Sequence, residues 1–492
     1  MAGDASGRGA SLSMPGGIDQ AIDQAVRPIA DGLSDIVFYS IPFLGHEAPI
    51  IVLWLILGAL VFTLYFGFIN ITGFGHALAL VSGRLTKDKA PGEISHFRAL
   101  ATAVSGTVGI GNIAGVAITI SLGGPGAAFW LVVAGLLGMS TKFVECTLGV
   151  RYRKQNDDGS VSGGPMYYLQ YGLAERGLPR LGRVLGLFFA ASIVIGCLGI
   201  GNMFQSNQAF AQFVEVMGRQ GTDFFDDKGW LFGLVIAGLV GLIILGGIQS
   251  IARVTVRLVP FMLVFYIVGA LAILILRVDA VPDAIAMIVS GAFTHEGMIG
   301  GWVGAMILGF QRAVFSNEAG LGSAAIAHAA VKTNEPVTEG YVALLEPFID
   351  TVVVCTLTAL VLTTTIYSPE MASSGLAGIE MTSAAFASVI PWAPEPLSIA
   401  AILFAFSTMI GWSYYGLKGW TYLVGEGTTK EAAFKLVFCG FVVLGCAVEL
   451  DAILKFADAL VFVMAFPNLI GLYFLAPVVK RELAAYRIAL RG

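Results

Sequence analysis

Charge is what this sequence has least of. Only 12% of the 492 residues are Asp, Glu, Lys or Arg, where a soluble domain carries about a quarter. With 57% apolar residues and a mean hydropathy of +0.82, too little polar surface remains to cover a water-soluble globule. The chain is a polytopic, all-α membrane protein, whose first partner is the lipid bilayer. The net charge of −5 is small and implies no nucleic-acid partner. No obligate protein partner is evident. Cysteine is also scarce: Cys146, Cys197, Cys355, Cys439 and Cys446 all fall in apolar segments, spaced for neither a zinc site nor a disulfide framework. They are expected to pack as small hydrophobes. H-E-x-x-H, G-x-S-x-G and a Walker lysine loop are all absent, so no catalytic residue or cofactor is expected, and an ATP-driven pump built on this chain alone is disfavoured. The N-terminus lacks the basic-then-apolar pattern of a cleaved signal peptide.

What the chain has in abundance is apolar runs of spanning length. Residues 1–48 read as an external segment, with an amphipathic surface helix over Ile18–Phe38 (Ile18, Ile22, Val26, Ile29, Leu33, Val37). Spans follow at 49–72, 98–121, 126–150, 183–215, 230–248, 257–277, 299–328, 341–366, 397–424, 433–449 and 456–478, about eleven helices, and a tail at 479–492. Basic residues collect in alternate loops: Arg84, Lys87 and Lys89; Arg151, Arg153 and Lys154; Arg176, Arg180 and Arg183; Arg253 and Arg257; Lys332; Lys430; and the tail residues Lys480, Arg481, Arg487 and Arg491. The positive-inside rule then puts the N-terminus outside and the C-terminus in the cytoplasm.

One span is unlike the rest. Ser105–Gly115 (SGTVGIGNIAG) carries four glycines, at Gly106, Gly109, Gly111 and Gly115. Each glycine weakens a helix by roughly 1 kcal/mol relative to alanine. The helix is expected to open here, which lipid tolerates only where the freed backbone faces protein or a water-filled cavity. Asn112-Ile113-Ala114-Gly115 recurs as Asn317-Glu318-Ala319-Gly320 in the seventh span. An odd number of helices separates the copies, which is the signature of a five-plus-five inverted repeat over 98–277 and 299–478, preceded by the unit 49–97. Broken helices at mid-membrane hold substrate and ion in many secondary transporters. Gly109-x-Gly111-x-x-Ala114 also matches a dinucleotide fingerprint, but it lies mid-helix rather than after a strand, so nucleotide binding is discarded.

Polar residues inside the spans are the remaining signals. Arg312 and Glu318 flank the second break, either paired as a brace or in contact with solute. Gln205, Asn202 and Asn207 either bind a small polar ligand or join neighbouring helices. Glu145 and Asp350 are placed near helix ends, in structural pairs. Ser407 and Thr408 offer adjacent hydroxyls, hard ligands for a small alkali cation, or else back-bond to the preceding turn. Trp412 lies on the same face and either walls a pocket or belongs to the core.

Eight stretches together resemble the alanine or glycine:cation symporter family: Gly92–Phe97, 111–117 (GNIAGVA), 123–130 (GGPGAAFW), 163–169 (GGPMYYL), 199–203 (GIGNM), 246–251 (GGIQSI), 314–324 (VFSNEAGLGSA) and 411–416 (GWSYYG). The resemblance runs from about Trp54 to about Leu475. It implies a LeuT-like fold with one extra N-terminal helix, and sodium-coupled import of a small neutral amino acid, alanine or glycine, across a prokaryotic plasma membrane. By the same resemblance, Thr107, Gly109, Ile110 and Gly111 meet the substrate carboxylate. Gln205, Phe315 and Ser316 take its ammonium end, and Trp412 and Ile110 limit its side chain. Sodium lies among Ser105, Val108, Ser407 and Thr408, with Asn112 at a second ion site or bracing the break. Two departures stand out: Ile110 replaces the family's threonine, and Leu131-Val132 replaces its Met-Trp. A proton-coupled symporter, with Glu318, Glu145 or Asp350 as carrier, a non-transporting sensor and a channel are the other readings.

Overall fold

The computed structural model describes residues 28, 31–85, 90–156, 159–222, 224–225, 228–294, 301–370 and 376–490. The amphipathic helix expected from Ile18 lies largely outside them, as do Lys87, Lys89 and Arg491. Of that helix, residue 28 and residues 31–37 are described as helix, and the latter lie against the body of the protein. Lys455 reaches Asp31 at 3.1 Å, and the Phe38 ring packs on Phe462.

A short antiparallel hairpin, β1 (Ser40–Phe43) and β2 (His46–Pro49), leads into the first apolar helix, α1 (Ile50–Tyr65). The broken span comes next. Its first half is α2 (His96–Thr107), started by the Ser95 hydroxyl, which accepts from the Arg98 amide. After a 3-10 turn at Ile110–Asn112 the chain resumes as α3 (Ala114–Arg151). Gly124, at φ 64°, and Pro125 divide α3 in two. Its first part completes the broken span and its second is the next crossing, as the runs 98–121 and 126–150 predict.

The other long apolar helices are α4 (Pro179–Arg219), α5 (Gly229–Ile244) and α6 (Gly247–Leu276). After the second broken span, α7 (Gly301–Asn317) and α8 (Ala324–His328), come α9 (Pro336–Thr365), α10 (Pro394–Val424), α11 (Thr428–Gly445) and α12 (Leu450–Ala489). Among the described residues, six helical stretches are long and apolar enough to cross a bilayer, and shorter apolar helices accompany them. Helix dominates because a backbone in lipid must satisfy its own hydrogen bonds. α3 packs along α7 and α9, while α10 packs along α2 and α4. The two broken spans are thus enclosed by the longest helices.

Several boundaries differ from the sequence-based ones: α1 ends at Tyr65 rather than at 72, and three further differences move charged residues. α6 starts ten residues early, so Arg253 and Arg257 stand on the exposed face of its first turns rather than in a loop. That helix tolerates them because only the opposite face is buried. α12 runs through Pro467 and Pro477 to Ala489, carrying Lys480, Arg481 and Arg487 on its final turns. α9 begins at Pro336, which puts Asp350 at mid-helix, not near an end. It falls in a π-helical stretch, Phe348–Cys355.

Candidate functional site: two facing helix breaks

The first break opens at Val108 and Gly109, whose backbones are extended. Two freed amides find side-chain oxygens: Gly109 donates to Asn112 Oδ1 at 2.9 Å and Ile110 to Gln205 Oε1 at 3.0 Å. Trp412 Nε1 donates to the Gly106 carbonyl at 3.2 Å, and Thr382 Oγ1 to that of Ile113 at 3.2 Å. Gly109 itself is required by crowding, since a Cβ there would stand 2.5 Å from Thr408 Oγ1 and 2.9 Å from Gln205 Oε1.

The second break starts where α7 stops. Glu318 adopts φ 59°, the left-handed region, and Gly320 and Gly322 follow at 94° and 83°. Ala319 N donates to Asn317 Oδ1 at 3.0 Å and Gly320 N to Glu145 Oε1 at 3.0 Å. Asn468 Nδ2 donates to the Gly320 carbonyl at 2.7 Å and to Glu145 Oε1 at 2.7 Å. Opened backbone inside the bilayer is therefore satisfied by buried side chains from α3 and α12.

A buried polar cluster ties the breaks together. Asn112 Nδ2 stands 2.7 Å from Asp350 Oδ1 and 3.0 Å from Ser316 Oγ. The Ser316 and Thr351 hydroxyls both donate to Asp350 Oδ2, at 2.7 and 2.6 Å. The expected Arg312–Glu318 pair is not formed. Arg312 instead makes a two-pronged ion pair with Asp458 of α12, at 2.7 and 3.1 Å. Unwinding after Asn317 turns Glu318 the other way, where its carboxylate accepts from Trp412 Nε1 at 2.9 Å and from the Ser323 hydroxyl. Trp412 thus bridges both breaks from α10.

Most of the residues singled out in the sequence gather here. Phe315 lies across Gly111, 3.6 Å from where a Cβ would be, and meets Phe204 edge-on at 5.2 Å. Gln205 faces the first break, whereas Asn202 and Asn207 do not. They donate to the Phe438 carbonyl at 2.8 Å and the Val448 carbonyl at 2.7 Å, fastening α4 beside α11. Ser105 and Thr107 back-bond within α2, and Ser407 back-bonds to Phe404 at 3.0 Å. Thr408 is different: its fully buried hydroxyl has no hydrogen-bond partner, and it points at the Gly109 backbone. A buried orphan oxygen beside an opened helix suits an alkali cation bound by hydroxyl and carbonyl oxygens. Asp458, Asn468, Lys142 and Glu346 were missed. Their signal was present, since each is a polar or charged residue inside an apolar run, where such groups are costly.

Fold and site together define a membrane protein of the LeuT-like class, with two broken helices facing one another. The solved structure of MhsT in complex with L-phenylalanine shares this fold, with a TM-score of 0.57 at 14% identity, covering 81% of this chain and 99% of that one. The family model of the sodium:alanine symporter family matches residues 35–491, and the chain belongs to that family. It is 41% identical over 434 residues to the sodium/alanine symporter AgcS of Methanococcus maripaludis, covering 88% of this chain and 93% of the relative. The probable sodium/glutamine symporter GlnT of Bacillus subtilis is 32% identical over 400 residues (81% and 80%). The putative sodium/proton-dependent alanine carrier protein YrbD of the same organism is 34% identical over 397 (78% and 79%).

Proposed function

We propose that this chain is a secondary active symporter importing a small neutral amino acid, alanine or glycine, with sodium as co-transported cargo. The observation that carries this reading is the Thr408 hydroxyl, buried and unpartnered against the opened first span. Sodium takes that oxygen together with Ser407 and the carbonyls of Ser105 and Val108, joining α2 to α10. Asn112 braces the break. The substrate carboxylate meets the backbone of Thr107, Gly109, Ile110 and Gly111, at the positive end of a half-helix, displacing Gln205 from the Ile110 amide. Gln205, the Phe315 carbonyl and Ser316 then take the ammonium group. Trp412 and Ile110, both fully buried, bound the space for its side chain. Of the relatives named above, two carry sodium in their names and one sodium or proton, and their named substrates differ between alanine and glutamine; in this reading residues such as Ile110 make that difference.

In this reading α1 precedes two five-helix repeats. The N-terminus lies outside and the C-terminus in the cytoplasm of a prokaryotic cell. Occlusion follows when both solutes link the breaks, and no covalent step is involved. The test is uptake of radiolabelled alanine and glycine into proteoliposomes, with and without an inward sodium gradient, competed by serine and glutamine. Sodium-dependent uptake competed by small amino acids is expected, and Ile110→Thr should reorder the competitors. Uptake indifferent to sodium but abolished by a protonophore would replace sodium with the proton.

A further inference from the structure

Five buried ionisable side chains that the site just described does not use lie next to it, toward the helix ends that carry the basic loops. His96 starts α2, His328 ends α8, Glu339 and Glu346 come from α9, and Lys142 comes from α3; none is more than 4% exposed. The Glu339 carboxylate accepts from both imidazoles, Oε1 from His96 Nδ1 and Oε2 from His328 Nδ1. Lys142 Nζ lies 2.9 Å from Glu346 Oε1. His328 Nε2 faces the other oxygen of Glu346 at 3.7 Å, and neither atom has a hydrogen-bond partner.

The charges do not balance while both histidines are neutral. Two carboxylates face one ammonium, and a buried uncompensated charge is strongly unfavourable. A carboxylate only accepts, so His328 carries its hydrogen on Nδ1. One further proton, on Nε2, closes the gap to Glu346 and neutralises the group. Glu145, Cys146, Glu318, Asp350 and Tyr415 also lie near the cluster and add no positive charge, and Glu145 and Glu318 are held by other partners. Arg153 is a second cation, near Glu339, and its guanidinium donates to the carbonyls of Pro91, Ala329, Val331 and Thr333. It does not bridge His328 Nε2 and the free oxygen of Glu346, which is where the further proton belongs.

Those Arg153 bonds show what the cluster sits against. With Lys332 N donating to the Ile94 carbonyl at 2.8 Å, they strap the start of α2 to the end of α8 on this face. Alternating access requires the strap to part. We propose that His328 is a proton-binding site: it holds a proton between Glu339 and Glu346 while the basic-loop face is closed, and exchanges it with solvent on that face when it opens. The proton does not cross the membrane and does not replace sodium. It makes reclosure depend on the pH of one side. This rests on the transport reading above.

The sign follows directly. The closed form holds the proton, so raising the pH on the basic-loop side disfavours reclosure and slows turnover. The experiment measures alanine uptake into proteoliposomes at fixed sodium gradient and external pH, with the lumen buffered from about pH 6 to about pH 9, across the ordinary imidazole range. Wild-type uptake should fall severalfold as luminal pH rises. His328→Gln should flatten the profile. Glu346→Gln is the second variant, because its amide oxygen can still accept from Lys142 while the negative charge facing His328 Nε2 is gone, which removes the need for the proton without removing the imidazole. Its profile should be flat as well. A wild-type rate indifferent to luminal pH, or a Glu346→Gln profile matching wild type, would overturn the proposal while leaving sodium-coupled transport standing. Absence of sodium-dependent uptake at every pH would overturn the transport reading, and this one with it.

Discussion

At the scale of single residues, the site depends on which oxygens are free and which are already bonded. Ser407 has the Phe404 carbonyl and the Met262 sulfur within reach, whereas Thr408 has nothing. Thr408→Ala should therefore weaken sodium far more than Ser407→Ala. Hydrogen bonds to charged groups contribute about 1.5–3 kcal/mol, so the sodium concentration for half-maximal uptake should rise roughly tenfold or more. No shift in Thr408→Ala, read from uptake against sodium, would mean that the cation does not use the orphan hydroxyl. Residue types such as the Ser407-Thr408 pair and Gln205 were legible in the sequence. Their bonding was not: Asn202 is as polar as Gln205, and only the turn of α4 through its π-helical stretch sends one to the break and the other to α11.

At the scale of elements, both breaks were legible, because glycines and polar residues gather where an otherwise apolar run must open. The partners that keep the breaks open were harder to foresee. Glu145 and Asn468 serve the Gly320 backbone from α3 and α12, far away in sequence. Glu318 is the acid nearest to Arg312 along the chain, which makes a bracing pair one of the two readings the sequence offers. The left-handed backbone at Glu318 turns it away from that pair. Truncating Arg312 to Ala should destabilise the protein by about 3–5 kcal/mol, since Asp458 is then left buried and unpaired. Arg312→Ala with Asp458→Ala should recover much of the loss. Thermal unfolding in detergent checks this: if the double variant is no more stable than the single one, the pair does not join α7 to α12 energetically.

At the scale of the whole molecule, the apolar runs marked out most of the helices. The errors at α6 and α12 share one cause. Window hydropathy ends a helix where arginine and lysine appear, but a helix continues past the bilayer when its basic residues stand on an exposed face. The larger consequence is coupling. Trp412, Asn112 and Gln205 join the first break to α10, α9 and α4, so solutes bound there are placed to act on several helices at once. On the proposed function, the sodium gradient drives amino-acid movement through this assembly. The most direct measurement is the steady-state ratio of internal to external radiolabelled alanine in proteoliposomes under an inward sodium gradient, followed by a sodium ionophore. Accumulation above the external concentration is expected, with collapse of that ratio when the ionophore is added. A ratio that never exceeds unity, or one that survives loss of the sodium gradient, would contradict it.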